Sequence, residues 1–162
     1  LPTFTGRLLA LARAHDLLTR RNWQEAPLER LVYDIVAPVS GGRVTTQGPH
    51  VDLDARTALS ITMVLNELLT NAAKYGALSV PDGAVSLTWR LGPNELSHNT
   101  VECEWRERGG PLVSPPKRRG FGTRLMERCV EHDLAGEFDL VFEPEGTRCR
   151  MVFPIVPASS NG

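Results

Sequence analysis

From about Asp54 to Tyr75 the pattern of the chain predicts one long helix. Apolar Ala58, Ile61, Leu65, Leu68 and Ala72 recur at steps of three and four, a single stripe along its side. Asp54 suits the N-cap position and Gly76 the stop. Upstream, residues 6–20 read as a helix. Residues 27–37 read as a second, with Pro27 at its first position and Pro38 ending it. Residues 43–47 and 51–53 are short strand-like pieces around Gly48-Pro49.

Downstream the period changes to two. Val85, Leu87, Trp89 and Leu91 alternate with Ser86, Thr88 and Arg90. Val101, Cys103 and Trp105 alternate with Glu102, Glu104 and Arg106. Phe138, Leu140 and Phe142 form a third run, and Cys149, Met151 and Phe153 a fourth. Such strands belong to a sheet with one face in water and one covered. A helix over about 121–133 interrupts them, with Leu125, Met126, Cys129, Val130 and Leu134 inward. The expected fold is α/β: a two-layer sandwich, with a mainly antiparallel mixed sheet and helices on one face.

Composition narrows the choice of function. The chain has 162 residues, one domain's worth, and a net charge of −1, so no basic field calls for nucleic acid. No apolar run reaches the length of a membrane span, and no signal peptide is visible. Cys103, Cys129 and Cys149 are odd in number and lack metal-ligand spacing, which predicts buried, reduced thiols of a cytoplasmic protein. The first residue is Leu1 rather than Met, which reads as a piece of a longer protein. We expect residues 1–26 to end a preceding helical region and linker, 27–156 to form the domain, and 157–162 to be a disordered tail.

Three segments carry candidate chemistry. At 3.6 residues per turn, Glu67, Asn71 and Lys74 fall together opposite the apolar stripe. A carboxylate, an amide and an ammonium could serve an anionic ligand with its metal; they could equally be a solvated face paired at helical spacing. Glu107 stands in phase with Val101, Cys103 and Trp105, on the covered side, just before Gly109-Gly110-Pro111. A buried carboxylate needs donors, and an exocyclic amine would supply one. Alternatively Glu107 lies past the strand end in solvent, or pairs with an Arg. Lys117-Arg118-Arg119-Gly120-Phe121-Gly122-Thr123 places cations and glycines before a helix start, which suits phosphate. Taken alone, it is also compatible with an ordinary loop, and it matches neither the P-loop nor the dinucleotide fingerprint.

In this order the three segments resemble the ATP-binding catalytic domain of sensor histidine kinases, within the gyrase, chaperone, kinase and MutL ATPase superfamily. Asn66 to Gly76 resembles the N-box, Glu107 with Gly109 and Gly110 the first Gly-rich box, and Gly120 to Leu125 the second. Gly146-Thr147 through Pro154 resembles the closing strand. Trp105-Arg106-Glu107 is similar to the Trp-x-Glu of the HWE subfamily, as are residues 10–18, 72–79 and 109–116 and the short lid between the Gly-rich boxes. One departure is plain: Asn66 stands where that subfamily has its His. The resemblance implies a Bergerat-type ATP-binding fold with ATP and Mg2+ as cofactors. It implies that Asn71 holds the metal, Glu67 acts as base and Lys74 steadies phosphate. Glu107 would receive the adenine amine, with Thr147 assisting through water. Tyr75, Gly109, Gly110, Arg118, Arg119, Gly120, Phe121, Gly122, Thr123 and Leu125 would complete the nucleotide site.

The resemblance also implies a partner histidine. His15-Asp16 with Thr19 partly matches the acceptor motif of the common histidine kinases, but Arg20 follows where they have Pro, and the second helix is too short for their hairpin. We read His15 as structural, and His50, His98 and His132 as exposed or capping residues without partners. The expected partners are a phosphoacceptor helical hairpin outside this chain and a response regulator, with no nucleic acid; the piece alone is expected to be a monomer. Two alternatives stay open: a nucleotide-binding module with little kinase activity, and an anti-sigma-type Ser/Thr kinase.

Overall fold

The computed structural model describes residue 12 and residues 26–92, 100–112 and 120–155. Most of the expected first helix, with His15, lies outside the described residues. So do His98, Lys117, Arg118, Arg119, most of the lid and the tail. The elements in chain order are β1 (Ala26–Pro27), α1 (Leu28–Ser40), β2 (Val44–Gln47), β3 (Asp52–Leu53) and α2 (Ala55–Lys74). After a 3-10 turn (Ala77–Ser79) come β4 (Ala84–Leu91), β5 (Thr100–Arg108) and α3 (Phe121–Glu127). A π-helical turn (Arg128–Asp133) leads into β6 (Glu137–Glu143) and β7 (Gly146–Pro154).

The main sheet has the order β2-β4-β5-β7-β6. Only β2–β4 is parallel among its pairings, so the sheet is mixed and mainly antiparallel, as the alternations predict. Val85, Leu87, Trp89, Val101, Cys103, Trp105, Cys149, Met151 and Phe153 fill its covered face. Against them pack the α2 stripe (Ala58, Ile61, Leu65, Leu68, Ala72) and Leu31, Val32 and Val36 of α1. Each fully buried Val, Leu, Ile, Phe or Met among them contributes about 1.5–3 kcal/mol. The opposite face carries ion pairs: Glu102 lies 2.9 Å from both Arg90 and Arg150, and Arg106 pairs with Glu104. Exposed pairs of this kind are worth only about 0–1 kcal/mol each, so the apolar layer holds the fold. The three cysteines are buried and free. Burial pushes the Cys129 thiol up to about 11 and Cys149 to about 12, so both are inert at neutral pH.

Three details differ from the sequence reading. Helix α1 runs through Pro38 to Ser40 and ends on Gly41 in the left-handed region, φ +52°. The Pro38 ring fits helical φ and forfeits only the bond to the Asp34 carbonyl, which an exposed last turn tolerates. Second, the helix over 121–133 changes to π geometry at Arg128, and Leu134 N–H reaches back to the Cys129 carbonyl at 3.2 Å. Met126, Cys129, Val130 and Leu134 still point inward, while Leu125 is half-buried.

Third, two of the histidines read as partnerless have partners: His132 Nδ1 lies 3.2 Å from Asp133 Oδ1, and His50 is held from two sides. Its Nδ1 meets Glu29 and its Nε2 lies 3.0 Å from Asp52 Oδ1. Carboxylates only accept, so the imidazolium, which donates from both ring nitrogens, is the form that satisfies both partners. Hydrogen bonds to Glu29 and Asp52 raise the His50 pKa. Partial burial pushes Glu29 upward, but bonds from its own amide, His50 and Val51 outweigh it and hold the carboxyl below its usual range. The cluster ties the start of α1 to β3, where Leu28 N–H also donates to the Val51 carbonyl at 2.7 Å. A raised imidazole stabilises fully below its ordinary value of 6.5, and that contribution fades as pH rises through the folded value. The Leu28 amide is therefore expected to be better protected from hydrogen exchange at about pH 6, below the ordinary imidazole value, than at about pH 8.5, well above it. His50→Gln should flatten that dependence; an unchanged pH profile in the variant would sink the idea.

Candidate active site

Helix α2 organises the site. Asp54 caps its start by accepting from Thr57 N–H at 2.7 Å. Its apolar stripe fixes its rotation against the sheet. The expected polar face is not uniformly solvated: Glu67 is 1% exposed, Asn71 half-buried, Lys74 exposed and Tyr75 65% exposed. Glu67 is covered by the start of α3, an element more than fifty residues away in sequence. An added Cβ on Gly122 would lie 2.7 Å from Glu67 Oε2, so the glycine lets the helix start close over the carboxylate. Gly120 is exposed, Gly122 and Thr123 are half-buried, and Phe121 is 67% exposed at the same edge. Leu125, expected at the nucleotide, packs half-buried against the core.

The far end of α2 meets Glu107. This residue is 5% exposed, in phase with the covered face of β5, which excludes the solvent reading. It has no Arg partner among its bonds in the described residues. Instead, Ala77 N–H donates to its Oε1 at 2.9 Å and Trp105 Nε1–H to its Oε2 at 3.0 Å. Burial raises the Glu107 pKa, and these two donors oppose the shift. Gly76 lies directly on the carboxylate: a Cβ there would overlap Glu107 Oε1. Gly110 presses on Ala77, with a would-be Cβ 2.7 Å from Ala77 Cα, and Gly109 turns the chain with φ +71°. Gly146 crosses the Glu107 backbone carbonyl, and Thr147, in phase with Cys149 and Met151, stands on the same side of the sheet.

So the structure gathers the predicted residues into two groups along one helix. Glu67 with Gly120–Thr123 is one, and Glu107 with Gly76, Gly109, Gly110 and Thr147 the other. Asn71, Lys74 and Tyr75 lie between them or at the end of α2. The nine residues from Glu67 to Gly76 make the separation roughly 14 Å along the helix axis. Arg118 and Arg119 lie outside the described residues, so their place at the phosphate end rests on the sequence.

Two contributors were missed by the sequence reading. Trp105 donates to Glu107, and its signal was present: the two residues sit two apart on one face of a strand. Arg43 had no such signal. Its guanidinium bonds the carbonyls of Leu78, Val80 and Gly83 at 2.6–3.2 Å and so fixes the loop that carries Ala77. An open cavity of about 460 Å3 lies beyond that loop, lined by Arg43, Asp82, Ser86 and Arg108 among others. None of the predicted site residues lines it, and the convergent chemistry lies at α2.

Comparison with known proteins gives a consistent picture. Residues 1–50 match the family described as HWE histidine kinase. A blue-light-activated histidine kinase of Brucella ovis is 34% identical over 157 residues, 95% of this chain and 32% of the relative. The chain thus spans about a third of the length of the curated relatives it matches. Among solved structures, the histidine kinase domain of the Erythrobacter litoralis blue-light-activated histidine kinase superposes with a TM-score of 0.70 at 21% identity, covering 92% of this chain and 75% of that one. The histidine kinase ThkA, solved in complex with the response regulator TrrA, gives a TM-score of 0.59 at 15% identity over 94% of this chain and 49% of that one. No helix among the described residues is long and apolar enough to cross a membrane.

Proposed function

We propose, from the premise that the chain belongs to the HWE histidine kinase family and carries the histidine kinase catalytic-domain fold, that it binds Mg-ATP along α2 and transfers the γ-phosphoryl group to a histidine on a separate helical hairpin. The observation that carries the proposal is the pairing of two buried carboxylates with close-packed glycines, one against the middle of α2 and one at its C-terminal end. Glu107 can accept an amino group with the lone pairs left over from its two N–H bonds, which suits adenine. Glu67, under Gly122, sits where the terminal phosphate would meet its acceptor, and there a carboxylate serves as base. Lys74 and Asn71 lie between, the first as a counter-charge and the second as an oxygen donor.

The donor set fits magnesium. Mg2+ prefers hard oxygen ligands and keeps several waters, so one amide oxygen plus the phosphates make a plausible shell. When bound, the ion would neutralise charge developing on the transferring group. The chain's own residues position the nucleotide: Gly120, with open space beside it, and the amides that follow would take phosphate oxygens, while Gly122 lets the helix start close over Glu67. Arg118 and Arg119 add charge, while Tyr75 and Phe121 supply exposed aromatic surface at the rim.

We further propose a cytoplasmic location, where Mg-ATP is available, a response regulator as the downstream partner and a monomeric state for this piece. Its boundaries would be the end of a helical region and linker over 1–26, the catalytic domain over 27–156 and a disordered tail over 157–162. Calorimetric titration with ATP tests the reading. We expect binding in the micromolar to millimolar range that strengthens with magnesium, and acid-labile label on a supplied acceptor hairpin. No binding at millimolar ATP, or acid-stable label, would overturn it.

A further inference from the structure

We infer that Trp105 is a positioning residue for base selection: its indole N–H orients the Glu107 carboxylate as a pure acceptor, so that the site takes a 6-aminopurine and refuses a 6-oxopurine. The inference rests on the proposed nucleotide site and adds to it the group that sets its selectivity. Trp105 is fully buried, and its Nε1–H has one partner in the described residues, Glu107 Oε2 at 3.0 Å. Ala77 N–H takes the other oxygen at 2.9 Å. With a donor on each oxygen the carboxylate plane is fixed from two sides, by a strand neighbour and by the turn after α2. Each oxygen keeps further lone-pair capacity, and that capacity faces a donor productively and an acceptor unproductively. An exocyclic amine donates; the carbonyl of a 6-oxopurine would place acceptor against acceptor, which a buried site penalises heavily.

The same geometry controls protonation. Burial drives Glu107 towards its neutral form, and the two N–H groups oppose it. Its surroundings supply little other charge. Val85 is its neighbour on β4, Gly76 and Ala77 cover it from the end of α2, and Gly146 crosses it from β7. The titratable groups nearest along those elements, Lys74, Tyr75 and Asp82, are exposed, and Arg108 and Arg148 alternate onto the other face of the sheet. Removing the indole N–H removes one of the two groups holding the acid ionised. A protonated Glu107 can donate to a 6-oxo group, so selectivity should weaken and do so at a higher pH.

The experiment measures ATP and ITP affinities from about pH 5.5 to about 8.5, upward from the ordinary carboxyl range in the direction that burial shifts the acid, for the chain and for Trp105→Phe. The unmodified chain is expected to prefer ATP by about 100-fold or more at the alkaline end. In Trp105→Phe the preference should fall about tenfold, with the pH at which it collapses moved upward. Equal weakening of both nucleotides, with ratio and pH midpoint unchanged, means a merely structural indole and overturns the inference. An unmodified chain that does not distinguish ATP from ITP overturns the adenine site itself, whatever Trp105 does. Should Trp105→Phe fail to fold, NMR on Trp23→Phe and Trp89→Phe isolates the Trp105 indole proton. That proton should shift over the same pH range in which the ATP:ITP ratio changes. A flat indole signal beside a changing ratio overturns the inference.

Discussion

Glu67→Gln is expected to lower phosphoryl transfer to a supplied acceptor hairpin by about 100- to 10,000-fold, the usual worth of a positioned general base. Mg-ATP affinity should be nearly unchanged. The substitution is close to isosteric, and it occurs at a residue that is 1% exposed and covered by Gly122, so it changes basicity with little change of volume. The loss should therefore fall on the rate of transfer and not on binding, the pattern of an interaction made in the transition state. The site group around Glu107 lies roughly 14 Å away along α2 and keeps its contacts. Single-turnover transfer at saturating ATP, beside calorimetry on the same samples, reads both quantities. Transfer within a few-fold of the unmodified chain would remove Glu67 from the chemistry. Parallel loss of rate and affinity would make it a scaffold for the start of α3 instead.

What the sequence made legible follows from short-range periodicity. The stripe on α2 and the alternation on β4, β5 and β7 depend on neighbours a few residues apart, and every residue of the α2 stripe is buried. The same rule put Glu107 on the covered face, because its phase with Trp105 needs no knowledge of the tertiary fold. Long-range packing was less visible. Helical spacing puts Glu67 on a polar face, and nothing near it in sequence announces that α3 will cover it. Half of the His50 cluster is likewise long-range: Asp52 is two residues on, but Glu29, twenty-one residues earlier, reaches the ring only after β1 pairs with β3. Arg43 reads only as the start of a strand-like piece, since its acceptors are backbone carbonyls on a distant loop. Gly76 was correctly placed at the end of α2 but for a different reason. Its φ of −108° is open to any residue, so what it supplies is space rather than backbone freedom.

That distinction makes Gly76→Ala the sharpest test of the Glu107 end of the site. Because the backbone is already in an ordinary region, the added methyl brings no conformational strain of its own, and the whole effect must be steric. The methyl would overlap Glu107 Oε1 and sit 3.0 Å from Ala72 Cα. Neither neighbour yields easily: Ala72 is in the core of α2, and the carboxylate is held by Ala77 and Trp105. Overpacking of this kind costs about 1–3 kcal/mol. Relief by rotating Glu107 would break one or both of its N–H bonds and leave a buried carboxylate short of donors, which costs a similar amount again. The variant is expected to unfold at lower urea and to lose most of its ATP affinity, since the displaced carboxylate no longer meets the base. Gly120→Ala is the matched control for stability. An added Cβ there meets nothing within 4 Å and φ is −73°, so its urea midpoint should stay put. If Gly76→Ala matches the unmodified chain in both stability and ATP affinity, Glu107 is not held against the end of α2 as described, and its role at the base fails with it.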